Sequence, residues 1–190
     1  MRLVYFFTIG FTVLALTAIW GGDSAARPVM VHSTATVVTS SEPAGAWFET
    51  MRPYCNPVQV ETQHRWSPPP RGTAGASYSA ACYALAGQID EARARIQALE
   101  PDQQWRAAGI VFNIAHPVAD AGNDVAAGPI MELVVEFWPN HYMALYHAGA
   151  ARFALGEPQV AVPYLEAFLE HYDQNDGWTN AARSMLKEAR

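Results

Sequence analysis

Six histidines and one pair of glutamates are the residues of this 190-residue chain best suited to metal or acid–base chemistry. His141 and His147 stand six apart. Two ligands on one helix reach the same side at steps of three or four, so this pair misses the spacing. His116 and His171 fall in other segments, and the expected role of all four is structural or superficial, with no metal centre. Glu132 and Glu136, four apart, share one helix face. A carboxylate pair does acid–base work when burial splits its pKa values. The sequence places no nucleophile or second catalytic group beside them, which leaves a solvated face as the expectation. Asp120 follows His116-Pro117 closely enough to orient that imidazole, although an aspartate there also suits a turn. The sequence contains no Gly-x-Ser-x-Gly, no phosphate-cradling glycine loop, no Cys-x-x-Cys and no Cys-x-x-Cys-His. The reading is a non-catalytic chain with no cofactor and no evident small-molecule substrate. Its net charge of −6 supplies no basic face for nucleic acid.

The elements that position these residues follow a period. Gly87, Gly122 and Gly156 stand 35 and 34 residues apart, and each is followed five residues later by an alanine, Ala92, Ala127 and Ala161. Seven residues before each glycine is a small residue (Ala80, Ala115, Gly149), and nine after it a larger apolar one (Ile96, Met131, Leu165). Three further on come Leu99, Val134 and Phe168. A fixed period near 34 marks an array of helical hairpins. Small residues let paired helices cross closely, apolar steps of three and four form the buried stripe, and the glycine supplies a positive φ at the end of the first helix. Pro101 and Pro139 punctuate the links between units.

These residues, clearest in "CYALAGQIDEARARIQALEP" and "ALYHAGAARFALGEPQVAVPYLEAFLEHY", resemble the tetratricopeptide repeat (TPR) family. The resemblance covers about residues 74–172, and 178–187 looks like the capping helix of such arrays. It implies an all-α, short TPR-like solenoid over 74–190, with units at about 74–101, 104–139 and 141–172 and a cap at 178–189. Carried over residue by residue, the concave groove would be lined by Ser77, Ala81 and Ala84; by Phe112, His116 and Ala119; and by Met143, Tyr146, Ala150 and Phe153. Inter-repeat core is the alternative role for these side chains. The mix is apolar and aromatic without Lys or Arg, which disfavours a carboxylate-clamping ligand and suits an amphipathic helix or extended arm. Pro117 departs from the pattern, because a mid-helix proline removes a hydrogen bond and crowds the preceding turn. The first helix of the middle unit is expected to kink or end near His116. Pro129 and Pro163 fall near the first turn of their helices, where donors lack partners anyway.

Leu3 to Trp20 is an 18-residue run without a charge, which at about 1.5 Å per residue nearly spans a hydrocarbon core. Arg2 precedes it and Asp23 follows, so the expected topology is a single-pass anchor (residues 1–22) with the N-terminus cytoplasmic and the rest extracytoplasmic, or periplasmic. Ser24-Ala25-Ala26 offers cleavage as the alternative. Either reading exports the bulk of the chain. An even pair of cysteines in an exported chain, Cys55 and Cys82, suggests a disulfide, with two buried free thiols as the alternative.

Residues 23–73 read as an extended, Pro-rich arm in which Ala44–Arg52 forms a short helix and triproline 68–70 ends any helix before it. Trp47, Phe48, Met51, Tyr54 and Trp66 are too apolar for a solvated tether. They either pack on the first hairpin or dock on a membrane-embedded partner. Anchor, apolar arm and repeat module are all contact devices. The function expected is a scaffold or accessory subunit of an integral-membrane complex, respiratory, photosynthetic, secretory or envelope-building. A soluble exported adaptor or chaperone, released by cleavage, is the alternative, and an enzyme a remote one.

Overall fold

The computed structural model describes residues 43–190. The expected membrane segment lies outside the described residues. Within them, no helix is long and apolar enough to cross a membrane. The described part is all-helical: α1 (Pro43–Met51), a 3-10 turn (Arg52–Tyr54), α2 (Val60–Trp66), α3 (Thr73–Leu85), α4 (Ile89–Gln97), α5 (Pro101–Asp120), α6 (Asp124–Phe137), α7 (Tyr142–Ala154), α8 (Pro158–His171) and α9 (Gly177–Glu188). From α3 onward, consecutive helices pack on one another.

The three spaced glycines end α3, α5 and α7 in the same way. Gly87, Gly122 and Gly156 have φ of 74°, 82° and 77°. After each, the next residue's N–H bonds back five residues, Gln88 to the Tyr83 carbonyl, Asn123 to Val118 and Glu157 to Arg152. Each glycine N–H also bonds back, to Ala84, Ala119 and Phe153. This Schellman arrangement satisfies the orphan carbonyls of a helix end and needs a left-handed residue, which glycine adopts without a Cβ penalty.

The spaced small and apolar residues are what the hairpins bury. Ala92, Ala127, Ala161, Ile96, Met131 and Leu165 are all inaccessible. A Cβ on Gly149 would lie 2.7 Å from Leu165, so α7 and α8 cross too closely for any side chain there. One cluster of buried residues runs from α1 into α7, and a second joins α7, α8 and α9. Capping residues set several boundaries. Asn123 accepts from the Ala126 N–H, and Asp176 forms a capping box with Thr179 at the start of α9.

The structure corrects several proline readings: Pro129 and Pro163, expected near the first turn, stand at the sixth residue of α6 and α8, inside the helix. Pro117 does not end its helix, since α5 continues to Asp120. The carbonyl that loses its partner belongs to Asn113, and both Asn113 and Pro117 lie on the exposed side of the helix, where a missing donor costs least. Pro101, read as a linker, instead opens α5 at a position where its absent N–H costs nothing.

Residues 43–66 are not an extended arm. Their helices fold onto the first hairpin, with Phe48, Met51 and Val60 buried in the main core and the Phe48 ring 5.3 Å from Tyr78. Burying a side chain of this size contributes about 1.5–3 kcal/mol. Trp47 is half-buried and its indole N–H donates to the Ser67 carbonyl at 3.0 Å. Tyr54 and Trp66 remain exposed. Cys55 and Cys82 are joined as a disulfide between this segment and α3. The triproline closes over α3 so tightly that a Cβ on Gly75 would sit 1.7 Å from the Pro70 carbonyl oxygen.

Candidate functional site

A cleft of about 450 Å³ opens between α5 and the start of α7. Phe112 and His116, one turn apart, form its α5 wall; Trp138, His141, Tyr142 and Met143 close the other side. Trp138 caps the end of α6, and His141 caps α7, its Nδ1 accepting from the Ala144 N–H at 3.3 Å. That bond assigns the His141 proton to Nε2. The rings touch in sequence: Phe112 lies 4.5 Å from His116 and 4.0 Å from His141, and Trp138 meets His141 edge-on at 4.6 Å. Burial is the largest effect on both imidazoles and pushes their pKa values below the ordinary value. The cleft therefore presents aromatic and uncharged imidazole surface, with Asn113 and Asn140 supplying amides at its edge.

Beneath His116 lies a polar cluster. Asp120, one turn further along α5, places Oδ1 3.3 Å from His116 Nε2 and 3.9 Å from His147 Nε2. His147, from the middle of α7, is almost inaccessible, and its Nδ1 lies 2.8 Å from Asp124 Oδ1 at the start of α6. Sequence spacing missed this group because its two histidines come from different helices. The expectation that Asp120 serves a turn is corrected, because it stands beside His116 within the last turn of α5.

Of the groove residues named from the sequence, Phe112, His116 and Met143 line the cleft. Tyr146 does not. It is buried against Phe168 at 5.2 Å and Trp178 at 4.9 Å. Phe153 is half-buried against the same cluster. Ser77, Ala81, Ala84, Ala119 and Ala150 are buried, the inter-helix alternative. Phe48 is wholly enclosed within the chain's own core, and Trp47 is engaged there too, so neither forms a free docking arm. The sequence reading overlooked Trp138, His141 and Tyr142 as cleft residues, because its groove positions in the third unit began at Met143 and none came from the end of α6. The signal available was "WPNHY", an aromatic-rich stretch where a polar loop would suffice.

Glu132 and Glu136 lie on a surface face, Glu136 exposed and Glu132 half-buried, and each is ion-paired rather than free. Glu132 holds Arg152 of α7 through two bonds, one of them 2.7 Å, and Glu136 holds Arg93 of α4 at 2.8 and 3.2 Å. These bonds raise both guanidinium pKa values and join neighbouring hairpins.

No family model, curated protein or solved structure matches the chain.

Proposed function

We propose that this chain is a non-catalytic, TPR-like binding module, held outside the cytoplasm by its N-terminal apolar segment, that serves as an accessory subunit of an integral-membrane complex. The α5–α7 cleft is its ligand surface. The observation that carries this reading is the cleft's chemistry: contiguous aromatic rings and imidazoles held toward the neutral form by burial, with amides at the rim and no Asp, Glu, Lys or Arg in its lining. Such a surface suits an apolar or aromatic side chain on an amphipathic helix or extended segment of a partner, whose backbone the amides can engage. The repeated glycine turns at a spacing of 35 and 34 support the TPR-like description.

The test is purification of the full, C-terminally tagged chain from native membranes in mild detergent, beside Asn113→Arg and Tyr142→Arg in the cleft and Glu188→Arg on α9. Loss of a stoichiometric partner from the cleft variants, with retention by the α9 variant, supports the reading. Retention by all of them removes the cleft from it. The N-terminus of the purified chain decides a second point. A chain starting at Met1 is an anchored subunit, whereas one starting near Arg27, as Ser24-Ala25-Ala26 would allow, is a released adaptor.

A further inference from the structure

His116 Nε2, Asp120 Oδ1 and His147 Nε2 all lie within 4.8 Å of one another. Both imidazole nitrogens are enclosed, and neither has a hydrogen-bond partner. For His147 this is decisive, because its side chain is only 2% exposed. A buried polar nitrogen without a partner forfeits its hydration and calls for an explanation. The neighbouring Asp124 supplies half of it. Its Oδ1, 2.8 Å from His147 Nδ1, accepts the N–H of the Nδ1-protonated ring and so leaves Nε2 as the lone-pair nitrogen, 3.9 Å from Asp120 Oδ1.

A lone pair fixed by a carboxylate on the far nitrogen, converging with a second imidazole and a carboxylate, is the carboxylate–histidine–metal arrangement. Four donors around a tetrahedral zinc ion at about 2.0–2.1 Å stand roughly 3.3 Å apart. The His116–Asp120 separation is already 3.3 Å; the His147–Asp120 separation of 3.9 Å and the His116–His147 separation, which is within 4.8 Å, close on the ion by side-chain rotation. The charges also match, since among the described residues Asp120 and Asp124 pair with no Lys or Arg. We propose that His116, Asp120 and His147 bind a divalent transition-metal ion, zinc foremost, with Asp124 as the residue that positions His147. Three protein ligands leave a fourth position for water or a partner's donor atom. Asp120 is 46% exposed, so the ion has a route in, and His116 shares its ring with the cleft above.

The experiment uses the full-length chain in detergent, carrying a histidine-free tag and stripped with chelator. Zinc chloride is titrated by calorimetry, and cobalt(II) is added to the same proteins to read its visible d–d absorption. The wild type should take up one zinc per chain and give a ligand-field band of low-coordinate cobalt. Asp120→Asn and His116→Gln should abolish saturable uptake and the band. Asp124→Asn, which keeps all three ligands, should weaken zinc binding about 10- to 100-fold. Asp120 is half-exposed, so its variant should fold, and circular dichroism of the metal-free proteins checks this. No uptake by the wild type, or equal uptake by the wild type and Asp120→Asn, overturns the proposal.

Discussion

His147 and Asp124 face each other across 2.8 Å, one in the middle of α7 and the other in the first turn of α6. The contact joins two helices of different hairpins and fixes the ring of the most deeply buried histidine. Removing one member leaves the other without a partner in a closed site.

Asp124→Ala should therefore destabilise the metal-free chain by about 1–3 kcal/mol, the cost of stranding a buried N–H. Chemical unfolding by circular dichroism measures it. A change under about 0.5 kcal/mol would mean that His147 finds another acceptor.

Tyr146 and Tyr142 separate core from cleft. Tyr146→Ala empties a site between Phe168 and Trp178 and should cost about 3–5 kcal/mol. Tyr142 is 42% exposed, and Tyr142→Ala should change stability by no more than about 0.5 kcal/mol. Melting curves of the two variants test the assignment directly, and comparable losses would contradict it.

The Cys55–Cys82 bond closes a loop with a sequence separation of 27. Chain-entropy reasoning gives about 3.5 kcal/mol for a loop of that length. Guanidinium unfolding with and without dithiothreitol should show a loss of this size. An unchanged midpoint, with reduction verified by mass spectrometry, would refute it.

Gly75 faces backbone, which cannot rotate aside. Gly75→Ala places its methyl against the Pro70 carbonyl and should lift the triproline off α3, costing about 1–3 kcal/mol. Limited proteolysis near residues 67–72 should accelerate with it. Wild-type stability and protection would rule out the contact.

His64 makes stability depend on pH. Its Nδ1–H donates to the Val60 carbonyl at 2.9 Å, so its Nε2 accepts from the Ser79 hydroxyl at 3.0 Å, a neutral pattern. Burial is the main cause holding its pKa below 6.5. Arg95 of α4 adds to this, while the Val60 carbonyl and Glu61 oppose it, and the rings of Trp47 and Tyr83 enclose it. Because the folded pKa is the lower one, the unfolded chain binds more protons below 6.5. The contribution of neutral His64 is complete above that pH and is lost as the pH falls toward the folded value, by at most about 1.4 kcal/mol per pH unit. Urea unfolding at pH 7.5 and 5.5 should show this slope, and His64→Gln should flatten it. An equal slope in the variant would assign the acid sensitivity elsewhere.

The hairpin array was legible because it is written in local terms. A glycine that must take positive φ, and small and apolar residues at fixed distances from it, recur in Gly87, Gly122 and Gly156 whatever surrounds them. That α5 does not end at Pro117 depends on exposure: a missing partner at Asn113 is tolerable on the exposed side, and the helix period alone does not say which way it faces. The segment from Pro43 to Trp66 was misread in part for a similar reason, since Phe48 and Met51 are apolar enough to pack on this chain or another.

The sequence by itself determined where helices turn and which stripes are buried, because backbone φ and hydrophobic period act within a few residues. Only the tertiary structure decided which chemistry is adjacent. His116 and His147, or Trp138 and Phe112, meet through the crossing of helices far apart in the chain, and helix crossing is set by side-chain volumes on both faces at once. No spacing along the chain encodes that distance.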